Sequence, residues 1–336
     1  MSASRRMAAI GFALLLGGFA PAKAFAADQV TVTYASFDAL YAPYFLGIDK
    51  GYFAAEGLDV TLLQAGGGTA TPALIAGSVQ FSSSSGSAVT AILRGARLRV
   101  IMILAVSLPW RLWATGPQIK SLADLKGLPV GVETSGGLDD LALRAALMKA
   151  GLPQNWVAYD PVGVGGAQRI AIMQHASLPA IFLSYIEERI ARQRGALANG
   201  HVLIDFPSPS GLKMPYNGLA TSQDLIDKKP DLVRRFVTAV VMGMRDMRAD
   251  RDGTLRVMAK YAKNTPPALL AEAFDDTSPT VLASAEATPD QRQFDLKLRG
   301  TMLKLPKSRV PPIDKVYDYS FVEQAIAALD RQGWKP

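Results

Sequence analysis

The chain has 336 residues, no cysteine, two histidines, and a formal charge of +7 from 36 basic and 29 acidic residues. Without cysteine it can form no disulfide, no thiolate metal site and no lipid-modified cysteine behind a leader, and His175 and His201 are too far apart for a zinc-binding spacing. The length suits two ordinary lobes, and the charge is too dispersed to indicate a nucleic-acid partner.

Residues 1–26 read as a secretion signal, with basic Arg5 and Arg6, an uncharged apolar core over 8–20, and small residues at Ala22, Ala24 and Ala26. The core is too short to span a bilayer, which takes about 20 apolar residues. Processing is expected after Ala24 or Ala26. Ser4-Arg5-Arg6 is an incomplete twin-arginine motif, which favours general secretion. Taking Arg5, Arg6 and Lys23 from the 36 basic residues leaves 33 against 29 acidic ones, a net +4. The expected location is the periplasm, without a lipid anchor.

Residues 30–34 alternate as a strand. A loop with Phe37, Asp38 and Tyr41 leads to a helix over about 43–50, which stops at Gly51, restarts briefly and yields to a strand over 58–64. Gly66-Gly67-Gly68-Thr69 opens a helix through 75, with Thr69 or Thr71 as N-cap and Pro72 in the first turn. A strand over 79–82 gives way to the run Ser82 to Ser87, and Ser87 starts a helix to about 94. The continuous apolar stretch 98–106 is a strand buried on both faces.

The pattern then repeats. An extended segment over 112–115, a short capped helix over 121–127 and a strand over 129–133 lead to Thr134-Ser135-Gly136-Gly137, which opens a helix to about 150. Strands over 156–160, 179–183 and 202–205 alternate with helices starting at 163–168 and 185. A second crossing over 216–221 precedes helices over 230–248, 254–263, 266–275, 289–305 and 319–332. Such alternation predicts parallel, doubly wound sheets, which bind ligands beyond the carboxyl ends of their strands.

Several pieces of the chain are similar to one family. Ala42-Pro43-Tyr44-Phe45-Leu46-Gly47, Lys50-Gly51-Tyr52-Phe53 with Glu56-Gly57-Leu58, the run 73–81, the run 121–127, Lys149-Ala150-Gly151-Leu152, the run 230–236 and the run 316–321 occur in its order and spacing. The chain resembles the ABC-transporter solute-binding proteins of the sulfonate, taurine and nitrate type, which include members for thiamine pyrimidine precursors. The resemblance implies an α/β, two-lobe periplasmic-binding-protein fold of type II-like topology. It has two doubly wound sheets, two crossing segments and C-terminal helices on the first lobe. The expected division is 27–113 for the first lobe, 114–215 for the second and 216–336 for the return. One departure stands out: the family's usual glycine and aspartate before the last second-lobe strand are missing from His175-Ala176-Ser177-Leu178.

Candidate ligand contacts follow from chemistry and position. Phe37 and Tyr41 suit an aromatic wall, and Asp38 an acceptor for a ligand amine, against a loop residue bonding its own backbone. Gly67, Gly68 and Thr69 offer N–H groups and a hydroxyl at a helix start, and Ser84, Ser85 and Ser87 do so at the next. Trp110 suits a cleft wall. Arg111 suits a carboxylate or sulfonate, with a hinge ion pair as the structural alternative, and Arg169 is a lesser anion candidate. Ser135, Gly136 and Gly165 are the second lobe's counterparts, although Asp139 and Asp140 in the adjoining first turn would themselves complement that helix dipole.

The resulting expectation is a monomeric binding protein without cofactor, metal or catalysis. It would capture a small organic solute by lobe closure and deliver it to a membrane permease served by a cytoplasmic ATPase. Sulfonate or carboxylate anions are favoured over a neutral pyrimidine or aromatic nutrient. A periplasmic sensing subunit is a second reading. A pyrimidine-precursor synthase is disfavoured, because the resemblance associates that enzyme with cysteines this chain lacks.

Overall fold

The computed structural model describes residues 27–336 except 36, 38, 164–165, 208–211 and 264, so the secretion signal, Asp38 and Gly165 lie outside the described residues. The first lobe runs β1 (Asp28–Tyr34), α1 (Ala42–Asp49), α2 (Tyr52–Ala55), β2 (Leu58–Gln64), α3 (Gly67–Ile75), β3 (Phe81–Ser82), α4 (Ser85–Leu93) and β4 (Leu98–Ser107). The second runs β5 (Trp110–Ala114), β6 (Pro129–Val132), α5 (Leu138–Lys149), β7 (Ala158–Pro161), α6 (Gly166–His175), β8 (Ala180–Ser184), α7 (Tyr185–Gln193) and β9 (His201–Asp205). Strand β10 (Lys213–Ser222) returns to the first lobe. It is followed by α8 (Gln223–Lys228), α9 (Pro230–Ala249), α10 (Arg251–Tyr261), α11 (Pro267–Thr277), α12 (Pro289–Met302) and α13 (Ser320–Arg331).

The two sheets have five strands each, in the orders β2-β1-β3-β10-β4 and β7-β6-β8-β5-β9. In the first, β1 is parallel to β2 and β3, whereas the returning β10 is antiparallel to β3 and β4. The second repeats the plan with β6 parallel to β7 and β8, and β5 antiparallel to β8 and β9. Because β5 already belongs to the second sheet, the chain crosses at 108–109, a few residues before the division expected at 113.

Local sequence accounts for several element ends. Ser184 caps α7 and Thr288 caps α12 through reciprocal bonds with Glu187 and Gln291, three residues on. Ser121 and Asp124 make a similar box, but the expected short helix there is a 3₁₀ turn over Leu122–Leu125. Predicted Thr caps for α3 are not used. Gly66 stands at that position, Thr69 Oγ1 donates to the Gly66 carbonyl at 3.2 Å, and Thr71 is buried within the helix.

The segment 47–60 docks on α9 rather than on the cleft. Phe53 stacks on Phe236 at 5.0 Å between ring centroids, and Phe236 stacks on Phe81 at 4.0 Å. Asp246 of α9 accepts from the Tyr52 hydroxyl at 3.0 Å and lies 3.6 Å from Lys50 Nζ. The C-terminal helices do more than cover the first lobe. Helix α12 packs against α4, β10 and α5, and Leu298 is buried in the second lobe's core. Arg299, fully buried, joins Asp295 at 2.8 Å and Thr90 at 2.7 Å, and the Tyr317 hydroxyl donates to the same Asp295 carboxylate.

Candidate functional site

A cleft of about 350 Å³ lies between the lobes. Its first-lobe wall comes from the loop after β1 (Phe37, Tyr41), the start of α3 (Gly67) and the loop after β3 (Ser83, Ser84, Gly86, Ser87). The crossing strands contribute Trp110, Tyr216 and Asn217. Opposite lie Glu133 after β6, Leu138 at the start of α5, Arg169 and Ile170 of α6, and Ile186, Glu187 and Ile190 of α7. These positions are the carboxyl ends of parallel strands and the starts of the helices that follow them, where doubly wound sheets leave a crevice.

Aromatic rings face the cleft from both sides. Phe37 is held edge-on to Tyr34 at 5.5 Å and stacked over Phe45 at 6.0 Å. Trp110 is set edge-to-face against Tyr216 at 4.9 Å and against Phe182 at 6.3 Å. Rings braced in this way present flat, rigid apolar surface.

The floor of the second lobe is charged but internally matched. Arg169 is 4% exposed; it donates to the Gly163 carbonyl at 3.2 Å and to the Phe182 carbonyl at 3.3 Å, and it lies 3.5 Å from Asp139 and 4.0 Å from Glu187. Glu187 also accepts from the Ser184 N–H at 2.7 Å. Burial pushes the Glu133 carboxyl up to about 7, with nearby Asp139 and Glu187 adding to the rise and Arg169 opposing it. Burial likewise raises Asp139, against the pull of Arg169. One buried cation among three carboxyl groups leaves little capacity for a further anion.

Six residues predicted as ligand contacts line this cleft, namely Phe37, Tyr41, Gly67, Ser84, Ser87 and Trp110, as does the lesser anion candidate Arg169. The others that are described do not. Gly68 and Thr69 are exposed beyond the α3 start. Ser85 is 1% exposed and donates to the Tyr216 carbonyl at 3.3 Å, which ties α4 to β10. Arg111 takes the alternative role of a second-lobe ion pair, 2.8 Å from Glu188 and 3.2 Å from Asp205, with the Tyr185 ring beneath it. Ser135 is exposed, and Gly136 bonds instead: its N–H donates to Asp140 at 2.7 Å and its carbonyl accepts from Thr90 at 3.5 Å. Asp139 accepts from the N–H groups of Glu133 and Asp140, so the donors around the α5 start are taken by the chain's own carboxylates.

Two close approaches explain why glycine stands where it does. A Cβ at Gly67 would sit 2.0 Å from Ser87 Oγ, and one at Gly86 would sit 2.1 Å from Leu138 Cδ1 across the cleft. The lobes also meet at Arg189 of α7, which lies 2.6 Å from Glu272 and pairs with Asp276, both on α11.

Sequence reasoning missed Ser83, Glu133, Leu138, Glu187, Tyr216 and Asn217. Two carried a signal. Glu133 is a lone acid ending the apolar strand 129–132, and Asn217 interrupts a strand of otherwise β-favouring and small residues just before a glycine. The remaining four look like ordinary loop, cap or strand residues until the lobes are brought together.

Comparison with known proteins accords with this architecture. Residues 39–253 match the family described as NMT1/THI5 like. A riboflavin-binding protein, RibY of Chloroflexus aurantiacus, is 30% identical over 222 residues, 63% of this chain and 60% of that protein, so the match spans less than two thirds of the relative's length. A solved protein of Bordetella bronchiseptica RB50 superposes with a TM-score of 0.76 at 20% identity, covering 91% of this chain and 98% of that one. The nitrate-binding protein NrtA of Synechocystis PCC 6803 gives 0.71 at 16% identity over 90% and 89%. The alkanesulfonate-binding protein SsuA of Xanthomonas axonopodis pv. citri, bound to MOPS, gives 0.67 at 16% identity over 90% and 99%. At these identities the solved structures establish the two-lobe fold of periplasmic solute-binding proteins, and the family match establishes descent: the chain belongs to the NMT1/THI5-like family.

Proposed function

We propose that the protein is the extracytoplasmic binding component of an ABC importer, and that it captures a planar, uncharged nitrogen heterocycle rather than an anion. The observation that carries this reading is the pairing of aromatic walls from both lobes with a buried cation already matched by carboxylates. Phe37 and Tyr41 of the first lobe and Trp110 and Tyr216 of the crossing strands line one cleft. Arg169, the buried arginine of the lining, is enclosed by Asp139 and Glu187. A sulfonate or carboxylate placed beside Arg169 would meet Glu133 and Glu187, and the lining's other arginine, Arg194, is exposed to solvent. The similarity to a riboflavin-binding protein supports the same ligand chemistry.

Binding would proceed by lobe closure, because a ligand that touches both walls interacts better with the closed state and draws the equilibrium towards it. Energy for transport would come from the importer's ATPase, with the chain itself binding and releasing its ligand unchanged. No described helix is long and apolar enough to cross a membrane, and membrane passage is assigned to a permease partner.

The test is a thermal-shift and calorimetric comparison of the purified protein with riboflavin, uracil and 4-aminopyrimidine on one side and taurine, an alkanesulfonate and nitrate on the other. A true ligand at about 100 times its Kd adds about 2.7 kcal/mol of stability. Stabilisation by the anions alone would overturn the heterocycle reading. Chemical turnover of a bound compound would overturn the assignment as a binding protein.

A further inference from the structure

Two buried polar atoms in the cleft have no hydrogen-bond partner among the described residues, namely Ser83 Oγ and Asn217 Oδ1, on residues each 2% exposed. The neighbouring serines differ. Ser82 Oγ accepts from Thr33 and from the Ser84 N–H, and Ser85 Oγ donates to the Tyr216 carbonyl. An unpartnered buried polar group is costly, and one that faces a cavity is satisfied when something binds there.

The two atoms belong to one place in the fold. Ser82 pairs with Ala220, and Ser84 bridges Gly218, so Ser83, one residue past the end of β3, lies near Asn217 of β10. The register of β10 against β4 slips on both sides of Asn217, between Lys213 and Asn217 and again between Asn217 and Gly218. Irregularities of this kind give up ladder bonds and re-aim a side chain, and they gather beside functional sites. Here the side chain concerned lines the cleft.

We propose that Ser83 and Asn217 read a lactam edge, the adjacent ring N–H and C=O of a planar heterocycle. This rests on the heterocycle reading above and narrows it. Asn217 Oδ1 only accepts, so it calls for a ligand N–H; the Ser83 hydroxyl, from the loop after the adjoining strand, can donate to the ligand's carbonyl. Glu133 on the opposite wall adds a further acceptor for a second N–H. Oxyanions carry acceptors only and would leave the Asn217 oxygen unmatched. Pyrimidinediones and flavins carry the required edge.

The test titrates the wild-type protein with uracil and riboflavin, and with their N3-methyl derivatives, by calorimetry. Blocking the ring N–H should weaken binding at least tenfold, since it leaves a buried acceptor unmatched. Asn217→Ala should bind methylated and unmethylated forms within about twofold of each other, and Ser83→Ala should weaken the lactams while leaving the methyl discrimination in place. The ligand arm needs no variant, so it decides the matter even if Asn217→Ala fails to fold. Equal binding of methylated and unmethylated ligands to the wild type would overturn the proposal. Binding of 4-aminopyrimidine but of neither lactam would overturn it while leaving the heterocycle reading intact. Binding of sulfonate or nitrate with no heterocycle bound would remove both.

Discussion

Arg189 of α7 and Glu272 of α11 form an ion pair of 2.6 Å that joins the two lobes, and Asp276 one turn further along α11 binds the same guanidinium. Helix α7 also lends Ile186 and Ile190 to the cleft, so one helix both touches the ligand space and fastens the lobes. On the other flank, Thr90 of α4 donates to the Gly136 carbonyl, and Gly86 lies against Leu138. The lobes are thus joined by contacts whose strength can be varied one at a time.

Replacing Arg189 by Gln should weaken ligand binding about two- to fivefold, mainly through a faster off-rate. The pair is partly exposed, and such interactions are worth about 0.2–1 kcal/mol each. High salt should reduce the wild-type advantage, because it screens the pair. Stopped-flow dissociation at low and high ionic strength measures both effects, and an unchanged off-rate would show that the pair plays no part in holding the lobes closed.

Arg299 should be among the most sensitive positions for stability. It is fully buried, and its removal would strand the Asp295 carboxylate that it pairs with at 2.8 Å. Arg299→Met should cost about 3–5 kcal/mol, the usual penalty for breaking a buried pair from one side. Adding Asp295→Asn should restore part of the loss. Urea denaturation of the single and double variants checks both statements.

Glu133 predicts a pH dependence of stability. Its carboxyl is raised to about 7 by burial, then by Asp139 and Glu187, with Arg169 opposing. The unfolded chain returns it to an ordinary carboxylate value near 4.5. Between those values the folded protein holds the proton more tightly, so its contribution is present at low pH and is lost as pH rises through about 7. The ligand-free protein should lose stability as pH rises from about 4.5 to about 7, and Glu133→Gln should flatten that part of the profile. Urea midpoints across this range, for wild type and variant, provide the measurement.

Ala176 follows α6 with φ at +48°, a left-handed conformation that favours glycine. The resemblance places a glycine in this region, where this chain has alanine in a conformation that glycine adopts more readily. Ala176→Gly should therefore stabilise the protein by about 0.5–1 kcal/mol, the relief of strain exceeding the added chain entropy. A lower urea midpoint in the variant would contradict this.

Much of the architecture is legible in local sequence. The apolar run 98–106 declares a buried strand, Ser184 with Glu187 declares a helix start, and strand–helix alternation places the ligand beyond the strand ends. The loops after β1 and β3 are found the same way, and they supply Phe37, Tyr41, Ser84 and Ser87 to the cleft. The crossing position is less legible, because an extended segment over 112–115 does not by itself say which sheet it joins.

Which members of each loop reach the cleft was decided by tertiary structure. Ser83, Ser84 and Ser85 are chemically identical and consecutive, yet only Ser83 keeps a buried hydroxyl without a partner, because Ser85 is taken up by a strand 131 residues away. Arg111 and Arg169 both read as anion ligands, but Glu188, Asp205, Asp139 and Glu187 reach them from distant parts of the chain. The sequence by itself determined the family, the two-lobe plan and the chemistry of the glycine, serine and aromatic loops, since these depend on periodicity, caps and turns within a few residues. The tertiary structure decided the polarity of the cleft, since that depends on which charges find partners across the fold and which polar atoms are left for a ligand.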